Sequence, residues 1–481
     1  MPVNTATEAV SDPAHPLCVD LDGTLVKSDT LFDSFCQLLR SYPLEAWKAP
    51  FWLIRGRAYL KSQVNLRAPL DATRLPYNSS LLSYLHEQRL EGRPIYLTTG
   101  AEGGIAERVA AHLGIFHGVL ASDGVTNLTH SRKLSSLKER FGQFDYIGNS
   151  RADLPLLSNA RAAMVANPTL GLRLSLQLRR IPIARTFTDQ RPTWKTLFKA
   201  VRVHQWAKNV LLFAPLLLSH QLAPGPVAKV IAAFFCFSFM ASANYLLNDM
   251  LDIENDRQHP TKHARPFAAG DLFISTGVAL IVLLILAAAA LLPFLPLSFA
   301  VWLGIYIVST SAYSFYLKRV ALVDVIVLSG LYTLRLLAGG AATGTTISQW
   351  LAGFSTFLFL SLATVKRFSE LEDLRERGAS VMPGRGYAVA DLEQVRSFGT
   401  ASAYAAVVVF MLFIGRSDEA MLYHHAMRLW LIVPLLIYWL NRVWLLASRG
   451  EMEDDPVVFA MRDPLSLAVG AGVAIIAVIS G

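Results

Sequence analysis

Asn248-Asp249-Met250-Leu251-Asp252-Ile253-Glu254-Asn255-Asp256-Arg257-Gln258-His259-Pro260-Thr261-Lys262-His263-Ala264-Arg265-Pro266 follows directly on an apolar run, and its reading decides the rest of the chain. Asp249, Asp252 and Asp256, with Asn248, are hard oxygen donors of the kind magnesium takes. Helical spacing predicts Asn248, Asp252 and Asp256 on one face, at i, i+4 and i+8. Lys262 and Arg265 follow within one short loop. Acids crowded together repel one another unless a cation is present, and they contribute little to membrane topology. Acids beside bases at the end of an apolar helix are what binding a magnesium-diphosphate requires.

The surroundings fit that reading. Of 481 residues, 53% are hydrophobic and 17% charged, too apolar for an ordinary soluble protein. The excess is uneven: residues 1–197 read as soluble, whereas 198–481 carry repeated apolar runs. A span needs about 20 apolar residues. Nine are predicted, near 200–219, 227–248, 273–292, 298–317, 321–341, 350–367, 397–414, 425–447 and 463–480. With the N-terminus inside, the inner loops hold Arg257, Lys262, Arg265, Lys318, Arg319, Lys366, Arg367, Arg375, Arg377, Arg385, Arg396, Arg449 and Arg462, against Arg416 alone outside. That asymmetry is the positive-inside pattern. It accounts for the net charge of +8 and predicts an inner (cytoplasmic) membrane protein with its N-terminal domain in the cytoplasm. No basic stripe with interleaved aromatics points to nucleic acid. The stretch up to Pro16 has no apolar core, so no signal peptide is expected. Three cysteines, Cys18, Cys36 and Cys236, have no metal-ligand spacing, and their odd number argues against a disulfide framework.

Asn248-Asp249-x-x-Asp252-x-x-x-Asp256 resembles the first signature of the UbiA superfamily of membrane prenyltransferases, over about 280 residues. The resemblance implies a nine-helix all-α bundle. The second, aspartate-rich signature of diphosphate-using members is missing, and the corresponding loop reads Lys366-Arg367-Phe368-Ser369-Glu370-Leu371. With Arg202 to Asn209 around Lys208, with His259-Pro260-x-Lys262-x-x-Arg265-Pro266, and with Asp455-Pro456, the chain looks like the decaprenyl-phosphate phosphoribosyltransferase branch. That branch implies phosphoribosyl pyrophosphate as donor and polyprenyl phosphate as acceptor. Such a donor carries an additional phosphate, and bases in place of acids would supply charge for it. Expected phosphate ligands are Lys208, Lys262, Arg265, Lys318, Lys366 and Arg367; Asp252 and Asp256 are the expected catalytic pair, holding Mg2+ with Asn248 and Asp249. The acceptor is already ionised, so no catalytic base is assigned. Glu370 either serves a cationic ribose centre or pairs with Lys366. Asp324 is expected to hold Lys318 or Arg319, or to form an end-of-helix ion pair. Arg335, well inside a span, is either an interior partner or a snorkelling residue.

Leu17-Cys18-Val19-Asp20-Leu21-Asp22-Gly23-Thr24-Leu25 predicts a short strand ending in an acidic turn. Further apolar runs at 94–98, 116–121, 144–148 and 162–166 alternate with helix-like stretches, which predicts a parallel α/β sheet. Catalytic groups in such sheets gather beyond the carboxyl ends of the strands. Residues 17 to about 167 resemble the haloacid dehalogenase (HAD) superfamily of phosphohydrolases, a Rossmann-like fold whose helical cap would be 31–80. The resemblance implies Asp20 as nucleophile, Asp22 as general acid and then base, Thr99 on the phosphoryl group, and Lys133 rather than Lys138 as the balancing cation. It implies magnesium on Asp20, Asp22, Asn149 and Asp153, although Asn149 stands where the family usually has aspartate. A pseudo-phosphatase that only binds or regulates is the alternative.

The expected organisation is 1–185 HAD-like, 186–197 linker within a polar stretch that starts at Ala184, and 198–481 UbiA-like. Adjacency suggests two consecutive steps, ribosyl-phosphate transfer to lipid and then removal of the 5-phosphate, for a cell-wall or arabinose precursor. Competing readings are a prenyltransferase joining a prenyl diphosphate to an aromatic acceptor, a transporter with a regulatory HAD domain, and a phosphatase for an unrelated small ester. A homo-oligomer is compatible with each.

Overall fold

The computed structural model describes residues 15–123, 128, 130–189, 193–219, 222–259, 261–382, 384–415, 426–452 and 455–480. Arg416, linker residues 190–192 and Pro260 of the acidic segment lie outside them. The chain divides into two compact units, residues 1–201 with 245–280, and residues 202–244 with 281–481. The acidic segment therefore packs in the same unit as the N-terminal domain.

The first unit is built on a six-stranded parallel sheet: β1 Leu17–Val19, β2 Ile95–Glu102, β3 Gly118–Ser122, β4 Asp145–Gly148, β5 Ala163–Ala166 and β6 Ile183–Phe187. Their order is β3-β2-β1-β4-β5-β6. β1 is covered on both faces and all three of its residues are buried, which is why it reads as a continuous apolar run. Its register sets Val19 beside Leu97 of β2 and Ile147 of β4. The order reverses at β1, and a crevice opens beyond the strand ends at that point. Helices interleave with the strands. After β1 come α1 Thr30–Ser41, α2 Pro43–Ala46, α3 Ala49–Ile54, α4 Arg57–Arg67 and α5 Ser79–Leu90. Then follow α6 Gly103–Leu113, α7 His130–Phe141, α8 Leu154–Leu157 and α9 Leu170–Leu178. Asp29 starts α1 by accepting the backbone N–H groups of Leu31 and Phe32. α1 to α4 form the expected cap, with its own core of Leu38, Trp52 and Val64. Two sequence expectations change. The polar stretch from Ala184 to Phe187 is not linker but most of β6, paired with β5; at this sheet edge Ala184, Arg185 and Thr186 are all exposed and only Phe187 is buried, so no apolar alternation marks the strand. After it, α10 spans Trp194–Val201.

The apolar half supplies α11 Ala214–Leu218, α12 Pro224–Leu251, α13 Ile253–Gln258, α14 Ile274–Leu291, α15 Leu297–Phe315, α16 Val323–Thr343 and α17 Gln349–Glu376. It continues with α18 Leu392–Ile414, α19 Ile432–Ser448, α20 Pro456–Ala460 and α21 Pro464–Ser480. Among the described residues seven helices are long and apolar enough to cross a membrane. The nine expected spans are not matched one for one. Residues 464–480 form a shorter apolar helix. The first expected span is a 3-10 stretch, Val203–Phe213, running into α11. In the second unit α16 to α19 share one core, with Phe359, Phe368, Phe410 and Trp444 buried in it.

Candidate functional site

The crevice beyond β1 is a cavity of about 480 Å³ lined by Asp20, Asp22, Lys61, Thr99, Lys133, Asn149 and Asp153, among others. Asp20 is 8% exposed and receives a 2.7 Å hydrogen bond from the Lys133 ammonium. Lys133 also donates to the Tyr146 hydroxyl, 2.7 Å away, and that hydroxyl donates to Asp153 at 2.9 Å. The second Asp153 oxygen accepts from the Asn149 and Ser150 backbone N–H groups and the Ser150 hydroxyl. Both oxygens of Asp153 are thus engaged in holding the turn after β4 and orienting Tyr146, and through it Lys133. Lys138 sits apart, bonded to Asn159. Thr99 is buried where β2 shifts register against β3, its hydroxyl accepting from the Ala101 N–H. Asp22 accepts the Thr30 N–H at 2.8 Å.

Gly23 lets the turn close. Its φ is +72°, and an added Cβ would lie 2.0 Å from the Asn149 amide nitrogen. Burial pushes the Asp20 and Asp22 carboxyls up to about 7; for Asp20 the Lys133 charge opposes the rise without cancelling it. The cleft is short of positive charge, and its donors are carboxylate and amide oxygens. That set fits a magnesium ion. Among the described residues no three carboxylate, imidazole or thiolate groups converge to form a ready-made metal cage, so the Asn149 amide and the backbone have to complete any coordination.

Two residues here went unread in the sequence. Lys61, on the cap helix α4, reaches into the cleft and donates to the Gly100 carbonyl at 2.5 Å. Burial lowers its pKa, against the pull of Asp22 and Asp29. Tyr146 sits inside an apolar strand, where nothing in the local pattern distinguishes it from a core residue.

The acidic segment bends where α12 ends. Asp252 caps α13, and the i→i+4 bonds still run from Asn248 to Asp252 (2.9 Å) and from Asp252 to Asp256 (2.8 Å). Arg265 bridges Asp249 (3.0 Å) and Asp256 (2.8 Å), both only 4% exposed. Asp252 pairs with Arg40 of α1. Arg257 pairs with the buried Asp33 of α1 at 2.7 Å. Two different arginines, Arg40 and Arg265, thus pair with Asp252 and Asp256, the acids predicted to share one face with Asn248. These are hard oxygen donors, two of them buried, and they suit magnesium in place of the arginine charge. Lys262 is exposed on the following 3-10 turn.

In the second unit, Lys208 (2.8 Å) and Lys366 (3.1 Å) both donate to one oxygen of Asp455. Burial would raise that carboxyl, but the two ammonium charges outweigh it and hold it well below the ordinary carboxylate range. The Asp455-Pro456 segment was noted in the sequence; its role as anchor of two lysines was not. Arg367 departs from expectation. It is fully buried, with Asp324 at 2.7 Å and Glu370 as partners, so its contacts support helix packing and not phosphate binding. Asp324 also takes Arg385 and the Tyr387 hydroxyl, and Glu370 pairs with Arg367 rather than Lys366. Lys318 is half-buried on the turn after α15. Arg335 lies inside the bundle, donating to Asn209 at 2.8 Å and stacked over Phe237, Tyr306 and Tyr332.

The chain thus combines a parallel α/β domain that has an acidic strand-end cleft with an apolar helical half that has seven helices long and apolar enough to cross a membrane among the described residues. The chain belongs to the UbiA prenyltransferase family, whose model matches residues 210–463. It is 37% identical over 478 residues to the uncharacterized protein y4nM of Sinorhizobium fredii, covering 96% of this chain and 90% of that one. It is 35% identical over 286 residues to the nodulation protein NoeC of Azorhizobium caulinodans (58% of this chain, 91% of that one). It is 37% identical over 231 residues to the decaprenyl-phosphate phosphoribosyltransferase of Mycolicibacterium smegmatis (47% and 71%).

Proposed function

We propose that this chain transfers a 5-phosphoribosyl group from phosphoribosyl pyrophosphate to a polyprenyl phosphate, and that its N-terminal domain then removes the 5-phosphate. The observation that carries the reading is the pair Lys208 and Lys366 on the single carboxylate Asp455. Two bases and one acid leave net positive charge, which suits a donor with more phosphate than a prenyl diphosphate has. Similarity to the phosphoribosyltransferase of M. smegmatis supports the same choice.

Magnesium is the proposed metal, held by Asn248, Asp249, Asp252 and Asp256 for transfer and by Asp20, Asp22 and Asn149 for hydrolysis, with Asp153 fixing the turn. When bound it would neutralise a departing or transferring phosphate. Lys208, Lys262, Lys318 and Lys366 are the proposed phosphate ligands. Arg265 holds Asp249 and Asp256 in place. Transfer needs little acid–base help, because the acceptor is already ionised; positioning and charge supply the catalysis.

In the second step Asp20 attacks phosphorus, the ester P–O bond breaks, and Asp22 delivers a proton to the ribose oxygen. Water then attacks the aspartyl-phosphate, Asp22 takes its proton, and inorganic phosphate leaves. Lys133 orients Asp20, and the Thr99 hydroxyl donates a hydrogen bond to the phosphoryl group as it passes to Asp20. The proposed setting is an inner membrane with the N-terminal domain in the cytoplasm.

The test is incubation of purified protein with labelled phosphoribosyl pyrophosphate and polyprenyl phosphate. Label should enter the lipid fraction and then lose its 5-phosphate. Asp252→Asn, or chelation of the metal, should abolish entry of label. Full transfer under both treatments would refute the reading.

A further inference from the structure

The cap holds a second hollow, of about 520 Å³, lined by apolar side chains that include Leu31, Phe32, Phe35, Leu39, Trp47 and Leu53. Phe32 lines both this groove and the Asp20 cleft, so the two meet at one side chain. Leu31, Phe35 and Leu39 line the groove and also pack against the cap core of Leu38, Trp52 and Val64, whereas Trp47 and Leu53 stand outside that core and are 80% and 50% exposed. The α2–α3 segment that supplies part of the lining carries further exposed apolar side chains: Leu44 is 83% exposed, Phe51 69% and Ile54 83%. A patch of this kind on an α/β domain marks an interaction site. The cleft lining also includes Phe273, Ile274 and Ser275, where the chain enters the apolar helix α14.

A charged, phosphate-sized cleft running into an apolar groove fits an amphiphile with a phosphorylated head. Resting on the phosphatase reading above, we propose that the groove between α1, α2 and α3 holds the proximal hydrocarbon of a lipid-linked phosphate ester while Asp20 and Lys133 engage its phosphate. The domain is then a phosphatase for membrane-borne substrate, and small soluble esters are served only through the cleft. Phe32 marks the boundary, turning the chain away from the charged groups.

The experiment compares hydrolysis of a polyprenyl-phosphoryl ribose 5-phosphate with that of ribose 5-phosphate by the full chain in detergent micelles. The variant carries Trp47→Ser and Leu53→Asn, two side chains at least half exposed, so the fold does not depend on them. Loss of the apolar contacts should raise KM for the lipid ester about tenfold or more, with the soluble ester unchanged. Unchanged lipid kinetics, or an equal fall with both esters, would overturn the groove assignment. A loss confined to nanodiscs, with micellar hydrolysis at the parent rate, would assign this face to the bilayer surface and overturn it too. Parent protein that cleaves only ribose 5-phosphate removes the groove and leaves the phosphatase; parent protein that cleaves neither removes the phosphatase reading itself.

Discussion

Replacing Arg257 by methionine should destabilise the first unit more than any surface change. Its guanidinium is 4% exposed and faces an Asp33 carboxylate that is 1% exposed, with a separation of 2.7 Å. Ser28 is the other group within hydrogen-bond reach of that carboxylate oxygen, at 2.7 Å. Removing one partner leaves a buried charge with a single neutral donor, which costs about 3–5 kcal/mol. In a unit of this size each kcal/mol lowers Tm by roughly 2–4 °C, so Arg257→Met should unfold on the order of 10 °C below the parent. Asp33→Asn should do much the same from the other side. The double variant leaves only Glu254, which lies 3.8 Å from Arg257 and is less deeply buried, without its partner; it should recover most of the loss, with a coupling energy of about 2–3 kcal/mol in the cycle. The assay is fluorescence-monitored thermal unfolding of the detergent-solubilised chain for the four proteins. If the double variant is as unstable as the sum of the singles, or if Arg257→Met shifts Tm by under about 2 °C, which is under about 1 kcal/mol, the buried pair is not what joins α1 to α13.

Gly23→Ala should lower phosphatase activity at least tenfold, because the residue sits at φ +72° and its Cβ would strike the Asn149 amide; steady-state hydrolysis of a phosphate ester measures it. Asp20→Asn should leave ribosyl-phosphate transfer intact and cause 5-phosphorylated lipid to accumulate, seen by thin-layer separation of labelled lipid. Asp455→Leu sets Lys208 and Lys366 against each other without their shared acceptor, and the KM for phosphoribosyl pyrophosphate should change severalfold with little effect on the phosphatase. Asp463, bonded to Arg442, has its carboxyl lowered to about 2 from 3.8, chiefly by that hydrogen bond. A lowered carboxyl stabilises fully above its unfolded value and loses that contribution as pH falls through the folded one. The parent should therefore lose this contribution between about pH 4 and pH 2, and Asp463→Asn should remove that part of the acid sensitivity in pH-dependent unfolding.

The two-part architecture was legible in the chain because each part rests on a local pattern. A run such as Leu17–Val19 is apolar throughout because it is buried on both faces, and the spans are long because a bilayer is thick. Asp20, Thr99 and Asp153 could be placed because strand ends are local features, and Lys133 and Asn149 because the family resemblance placed them. Tertiary structure alone decided the partners. Arg367 reads as an available base in sequence, yet Asp324, 43 positions earlier, meets it inside the bundle. Lys61 looks like a surface residue of an amphipathic helix until the cap folds it over Asp22. Arg40 and Asp33 carry no signal that they answer Asp252 and Arg257 more than 200 residues away. A linear pattern records which face of an element is apolar; which charges share that burial depends on how distant elements are packed, because a buried charge is tolerated only beside the group that neutralises it.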